Sequence, residues 1–144
     1  MQLITQEFND RGIRLKLKDG HTTISECKVS IGGDKIWSIT EWFTNTNYQH
    51  QGLGNQLLRE AFCQLYRRDG MPNEIRYNWN GVNQYVMDWL TKNFDPVSIL
   101  PLSVQKYSEE DNWEAHIYVL NKNKLLDYYR NLEKVSFDST EIST

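Results

Sequence analysis

In Gln49-His50-Gln51-Gly52-Leu53-Gly54, two of the chain's eight glycines fall where an extended segment runs into a helix. Glycine costs roughly 1 kcal/mol in a helix relative to alanine, so a pair at a helix start calls for a reason. Such a start leaves backbone N–H groups unpaired and carries the positive end of the helix dipole. Where the preceding loop has no side chains in the way, a phosphate can rest directly on those amides. A tight turn would use the same glycines without any ligand. The dinucleotide-binding fingerprint is excluded, because no third glycine follows and no βαβ pattern continues with an acidic residue in place.

The elements around this segment change period at Gln51. Before it, "QLITQEF", "IRLKLKD", "TISECKVSI" and "KIWSITEWFTN" read as four strands, with turns at Asn9–Gly12, Asp19-Gly20 and Gly32–Asp34. The fourth strand carries Trp37, Ile39 and Phe43 on one face and Trp42 on the other, which predicts a central position covered on both sides. After it, Leu53, Leu57, Leu58, Ala61, Phe62 and Leu65 recur at helical spacing, and Gly70 with Pro72 closes that helix. "EIRYNWN" follows as a fifth strand. A second helix places Val82, Tyr85, Val86, Trp89 and Leu90 on one face. "LSVQKY" and "EAHIYVL" make a last hairpin around Ser108–Asn112, and Asn121 to about Lys134 forms a third helix. The expected fold is a mixed α/β (α+β) sheet of about seven strands, mostly antiparallel, with flanking helices. A single domain spans residues 1–136, and residues 137–144 form a polar, frayed tail.

Composition narrows the partners. With 16 basic and 19 acidic side chains the net charge is −3, which offers no general attraction to nucleic acid or to anionic membranes. No apolar run approaches the ~20 residues needed to span a bilayer. The N-terminus lacks a basic region followed by an apolar core, so a cytoplasmic protein is expected. Cys27 and Cys63 lie on separate elements without metal-ligand spacing, and no metal site is expected.

The glycine segment resembles motif A of the GNAT superfamily of N-acetyltransferases: Gln or Arg, two variable residues, Gly, one variable residue, then Gly or Ala. "SITEWFTN" before it and "NQLLREAFCQL" after it fit that family's fourth strand and long helix. The element order from about residue 13 to residue 120 fits as well. The resemblance implies acetyl-CoA as cofactor. Its pyrophosphate would lie on the loop and first helical turn, meaning Gln49, His50, Gln51, Gly52, Leu53, Gly54 and Asn55. Its pantetheine arm would run along Trp42, Phe43 and Thr44, where the fourth and fifth strands part, and Asn83 matches the asparagine of the family's later motif. The pair of helices usual between the first two strands has no room in "NDRG". The family's general-acid tyrosine position holds Leu90.

Acetyl transfer to an amine requires removal of the amine's proton, polarisation of the carbonyl, and protonation or tolerance of the leaving thiolate. Glu41 is the carboxylate nearest the expected parting of the strands and is the candidate base. Tyr85 is the candidate replacement for the missing tyrosine, although its spacing equally suits packing. Asn78 and Asn80 can bond pantetheine or acceptor, or Asn80 can begin the next helix. His116 serves as a base only if it faces the cleft. The acceptor is expected to be a small-molecule or protein amine. Leu125, Leu126, Tyr129 and Leu132 form a stripe that can dock on the domain's own sheet or on a second copy in a homodimer.

Overall fold

Along β2 (Gly12–Asp19), Ile13, Leu15 and Leu17 are fully buried while Arg14, Lys16 and Lys18 point to the opposite face. This alternation gives the sheet one dry and one wet side. The computed structural model describes residues 1–8, 11–49, 51–79, 84–94, 98–101, 116–131 and 138–143. The remaining strands are β1 (Gln2–Glu7), β3 (Thr22–Gly32), β4 (Ile36–Thr44), β5 (Glu74–Trp79), β6 (Ser98–Pro101), β7 (His116–Leu120) and β8 (Asp138–Ser143). They form one sheet of eight strands in the order β6-β7-β5-β4-β3-β2-β1-β8. Pairing is parallel for β4–β5 and β1–β8 and antiparallel elsewhere.

The parallel β4–β5 pair requires a crossover, and α1 (Leu53–Asp69) supplies it. Its stripe of Leu53, Leu57, Leu58, Ala61, Phe62 and Leu65 is buried, as the periodicity predicts. Gly70, at φ 77°, closes the helix and donates its N–H to the carbonyl of Tyr66 at 2.8 Å. α2 (Gln84–Phe94) and α3 (Lys122–Asn131) share this dry side. Phe62 stacks on Trp37 of β4 at 5.7 Å and meets Tyr129 of α3 edge-on at 5.5 Å. Tyr129 in turn stacks on Phe94 of α2 at 6.5 Å. Among the described residues no helix covers the other side of β1 to β4. Cross-strand partners there include Arg14 with Lys28, Lys28 with Glu41, and Lys16 with Glu26.

Two expectations change. The polar tail pairs residue for residue with β1 as an edge strand, so the sheet has eight strands rather than about seven. Ladder bonds come from the backbone, and side-chain polarity does not oppose them at an edge. Among the described residues β7 pairs on its outer side with Ser98–Pro101, and "LSVQKY" lies outside those residues. Pro101 ends an edge strand, where its missing N–H costs nothing. Of the two dockings open to the third helix's stripe, Leu125 and Tyr129 take the one in the domain's own core, with Leu126 half-buried beside them; Leu132 lies outside the described residues.

The second change bears on the site. Ile39 pairs with Val29 and Glu41 with Lys28, which leaves Thr40 as an extra residue on β4. Such a bulge reverses the phase of the side chains beyond it. Trp42 therefore joins Trp37 and Ile39 on the helix side, while Phe43 and Glu41 turn to the wet face.

Candidate functional site

Parallel pairing of β4 with β5 runs from Ile36–Glu74 to Ile39–Tyr77 and stops. Beyond that point, among the described residues, β4 remains bonded only to β3, and Asn78 and Trp79 of β5 only to β7. The two central strands part at the Thr40 bulge, which leaves one backbone edge of Thr40–Thr44 without a strand partner among the described residues.

A cleft of about 290 Å³ opens where they part. Its lining contains Trp42, Phe43, Thr44, Gln49, Gly52, Leu53, Gly54 and Asn55, joined by Tyr48, Val86 and Trp89. Most of the residues assigned to cofactor binding from sequence thus meet in one cavity. Gln51 is exposed and does not line it. His50 and Asn83 lie outside the described residues, as do the side chains of Tyr85 and His116 and all of Asn80. Val86 and Trp89 were legible only as a helical stripe, a pattern that packing explains equally well.

The helix start is held by specific bonds. Gln49 Nε2 donates to the carbonyl of Thr44 at 3.0 Å, tying the loop to the strand end. Ser25 Oγ donates to the carbonyl of Phe43 at 2.9 Å from the buried side of β3. The indole of Trp42 contacts that of Trp89 at 6.1 Å between ring centres, joining β4 to α2.

The two glycines have different tasks. Gly52 caps α1 with φ 74°, a left-handed conformation that disfavours other residues, and a Cβ there would meet nothing. A Cβ on Gly54 would lie 3.1 Å from Thr44 Oγ1 and 3.2 Å from Trp42 Nε1. The second glycine therefore lets the helix approach β4. The resulting start has no side-chain cap and no acidic residue in its first turn. That leaves N–H groups and the positive end of the dipole available beside the cleft.

Asn55 Oδ1 accepts a hydrogen bond from the hydroxyl of Tyr129 at 3.0 Å. Burial pushes the Tyr129 phenol well above its ordinary pKa, which keeps it a donor. Asn78 follows the last β4–β5 pair, and its Oδ1 is buried without a hydrogen-bond partner. A buried acceptor left unpaired costs about 1–3 kcal/mol, but Asn78 does not line the cleft.

Glu41 lies in the parted segment of β4 but does not line the cleft. Its two carboxylate oxygens accept from Arg14 Nη2 at 3.1 and 3.3 Å, and its side chain is 45% exposed on the wet face. Arg14 also approaches Glu26 through Nε at 3.2 Å. Leu90 is fully buried in α2 and does not line the cleft. Among the described residues no cluster of His, Cys, Asp and Glu could hold a metal ion. None of their helices is long and apolar enough to cross a membrane.

No family profile matches the sequence, and neither does any curated protein. Solved structures do match. The IAA acetyltransferase from Bacillus cereus is similar at 17% identity and TM-score 0.56, over 76% of this chain and 76% of that one. The ribosomal-protein-S18-alanine N-acetyltransferase from Escherichia coli is similar at 15% identity and TM-score 0.52, over 78% and 68%. A GNAT family acetyltransferase from Elizabethkingia anophelis, solved with acetyl-CoA bound, is similar at 13% identity and TM-score 0.53, over 76% and 74%. At these identities the likeness is one of architecture, and it agrees with the parted central strands and the glycine-led helix between them: the chain has the fold of the GNAT superfamily of acetyltransferases.

Proposed function

We propose that this protein is an acetyl-CoA-dependent N-acetyltransferase acting on a primary amine of a small molecule or a protein. The observation that carries this reading is the parting of β4 and β5 beside an uncapped helix start. Backbone N–H groups at Gly52 to Asn55 suit a pyrophosphate. The edge of β4 along Trp42, Phe43 and Thr44 suits the amide-bearing pantetheine arm. Acetyl-CoA supplies an activated acetyl thioester when bound.

The helix side of the cleft is closed by α1 and α2, so an amine approaches from the wet face. Glu41 stands on that face, oriented by Arg14, and takes the amine's proton directly or through a water. Tyr85, on α2, is the proposed proton donor to the departing thiolate. The wet face is also where a second subunit would wall the acceptor site. Two free cysteines fit a reducing, cytoplasmic setting.

A second reading is a coenzyme A binding module without catalysis, favoured by buried Leu90 at the tyrosine position. Mixing the protein with acetyl-CoA and an amine panel, and following free thiol, separates the two. Thiol release stimulated by an amine supports the enzyme. Saturable binding without release supports the module, and absence of binding removes both.

A further inference from the structure

A second groove, of about 540 Å³, runs between α1 and α3 and, among the described residues, shares no lining residue with the cofactor cleft. Phe62 and Tyr129 give it an aromatic floor. Around them stand three guanidinium groups, Arg59, Arg67 and Arg130, against one carboxylate, Glu60. This is a basic site on a chain whose net charge is −3.

The arginines are poorly neutralised. Arg67 meets Glu60 at 3.8 Å and Arg130 meets Asp127 at 3.5 Å, both arginine side chains being 70% exposed. Pairs of that length at the surface are weak. Glu60 is shared further, since its Oε1 accepts from Gln64 at 3.1 Å. Arg59 is the distinctive member: its Nε is buried and has no hydrogen-bond partner. A buried charged donor without an acceptor is costly.

We propose that this groove binds a small organic anion with a flat apolar body, an aryl carboxylate or sulfonate, at a site separate from the acetyl-CoA cleft. The anionic group pairs with Arg59 and Arg130, and the ring lies against Phe62 and Tyr129. Flat aromatic ligands suit such a floor, and Arg geometry suits a two-oxygen anion. The proposal does not depend on the acetyltransferase reading.

The probe is 1-anilinonaphthalene-8-sulfonate, titrated by fluorescence into the intact chain. We expect one saturable site, weakened at least about fivefold by Arg59→Gln and by Arg130→Gln, because each removes one charge-assisted bond. Arg130 lies on the exposed side of α3, so its variant keeps the fold even if Arg59→Gln does not. Saturating acetyl-CoA should leave the probe bound. The probe should also slow N-ethylmaleimide labelling of Cys63, which lines the groove. Absence of a saturable site, unchanged affinity in both variants, or displacement by acetyl-CoA would overturn the proposal. Acetyl-CoA binding itself is read in a separate titration without the probe, so failure of the cofactor assignment is distinguishable.

Discussion

The indole Nε1 of Trp42 donates to the carbonyl of Gly54 at 2.8 Å, joining the parted end of β4 to the first turn of α1. This bond sets how closely the helix start approaches the strand edge, and so the width of the cleft. Trp42→Phe keeps an aromatic ring and removes the donor. It should lower stability by about 1 kcal/mol and weaken acetyl-CoA binding severalfold. Thermal melts paired with calorimetry test both effects, and unchanged affinity would mean that this bond does not shape the cofactor site.

Asn55→Asp separates cofactor repulsion from folding. The new carboxylate can still accept from Tyr129, and negative charge in the first turn of a helix stabilises it by about 0.3–1 kcal/mol. The same charge repels a pyrophosphate. We expect a melting temperature equal to or above the parent's, with acetyl-CoA affinity reduced at least about tenfold. Gly54→Glu should also abolish binding, but its Cβ would press on Thr44 and Trp42, so a loss there is read together with the melt. A stable Asn55→Asp variant with parental affinity would argue against an anion at this helix start.

Glu41→Gln retains a hydrogen-bond acceptor for Arg14 while removing the basic group. If Glu41 takes the amine's proton, turnover at neutral pH should fall roughly 10²-fold with cofactor affinity nearly unchanged. A fall of less than about threefold would assign proton removal to water or to another group.

Alkaline pH should destabilise the domain in a definite window. Burial pushes the Cys27 thiol from 9.0 up to about 12 and the Tyr77 phenol from 10.0 up to about 12. The unfolded chain therefore releases these protons first, and stability falls as pH rises from the unfolded values toward the folded ones. Melting temperatures between pH 8 and pH 11 should decline, and Cys27→Ala should flatten the earlier part of that decline. In the native state N-ethylmaleimide should modify Cys63 well ahead of Cys27. Equal labelling of the two thiols would contradict the burial of Cys27.

The alternation of Ile13, Leu15 and Leu17 determines β2 by itself, and the stripe from Leu53 to Leu65 does the same for α1, because burial along one element follows its own period. The segment Gln49–Gly54 likewise carries the resemblance to acetyltransferases within a few consecutive residues. Other features depend on partners far away in sequence. The Thr40 bulge exists only relative to Lys28 and Val29 of β3, so the face of Trp42 could not be read from β4 alone. Gly54 is small because Thr44 and Trp42 press on it, a reason visible only once strand and helix meet. The polar residues of β8 carry no apolar signal, and only the free edge of β1 recruits them. Asn78 Oδ1 is buried without a hydrogen-bond partner, and an unmet hydrogen bond has no signature in a sequence. Local periodicity needs one segment, whereas close approach, register and unsatisfied polar atoms need two.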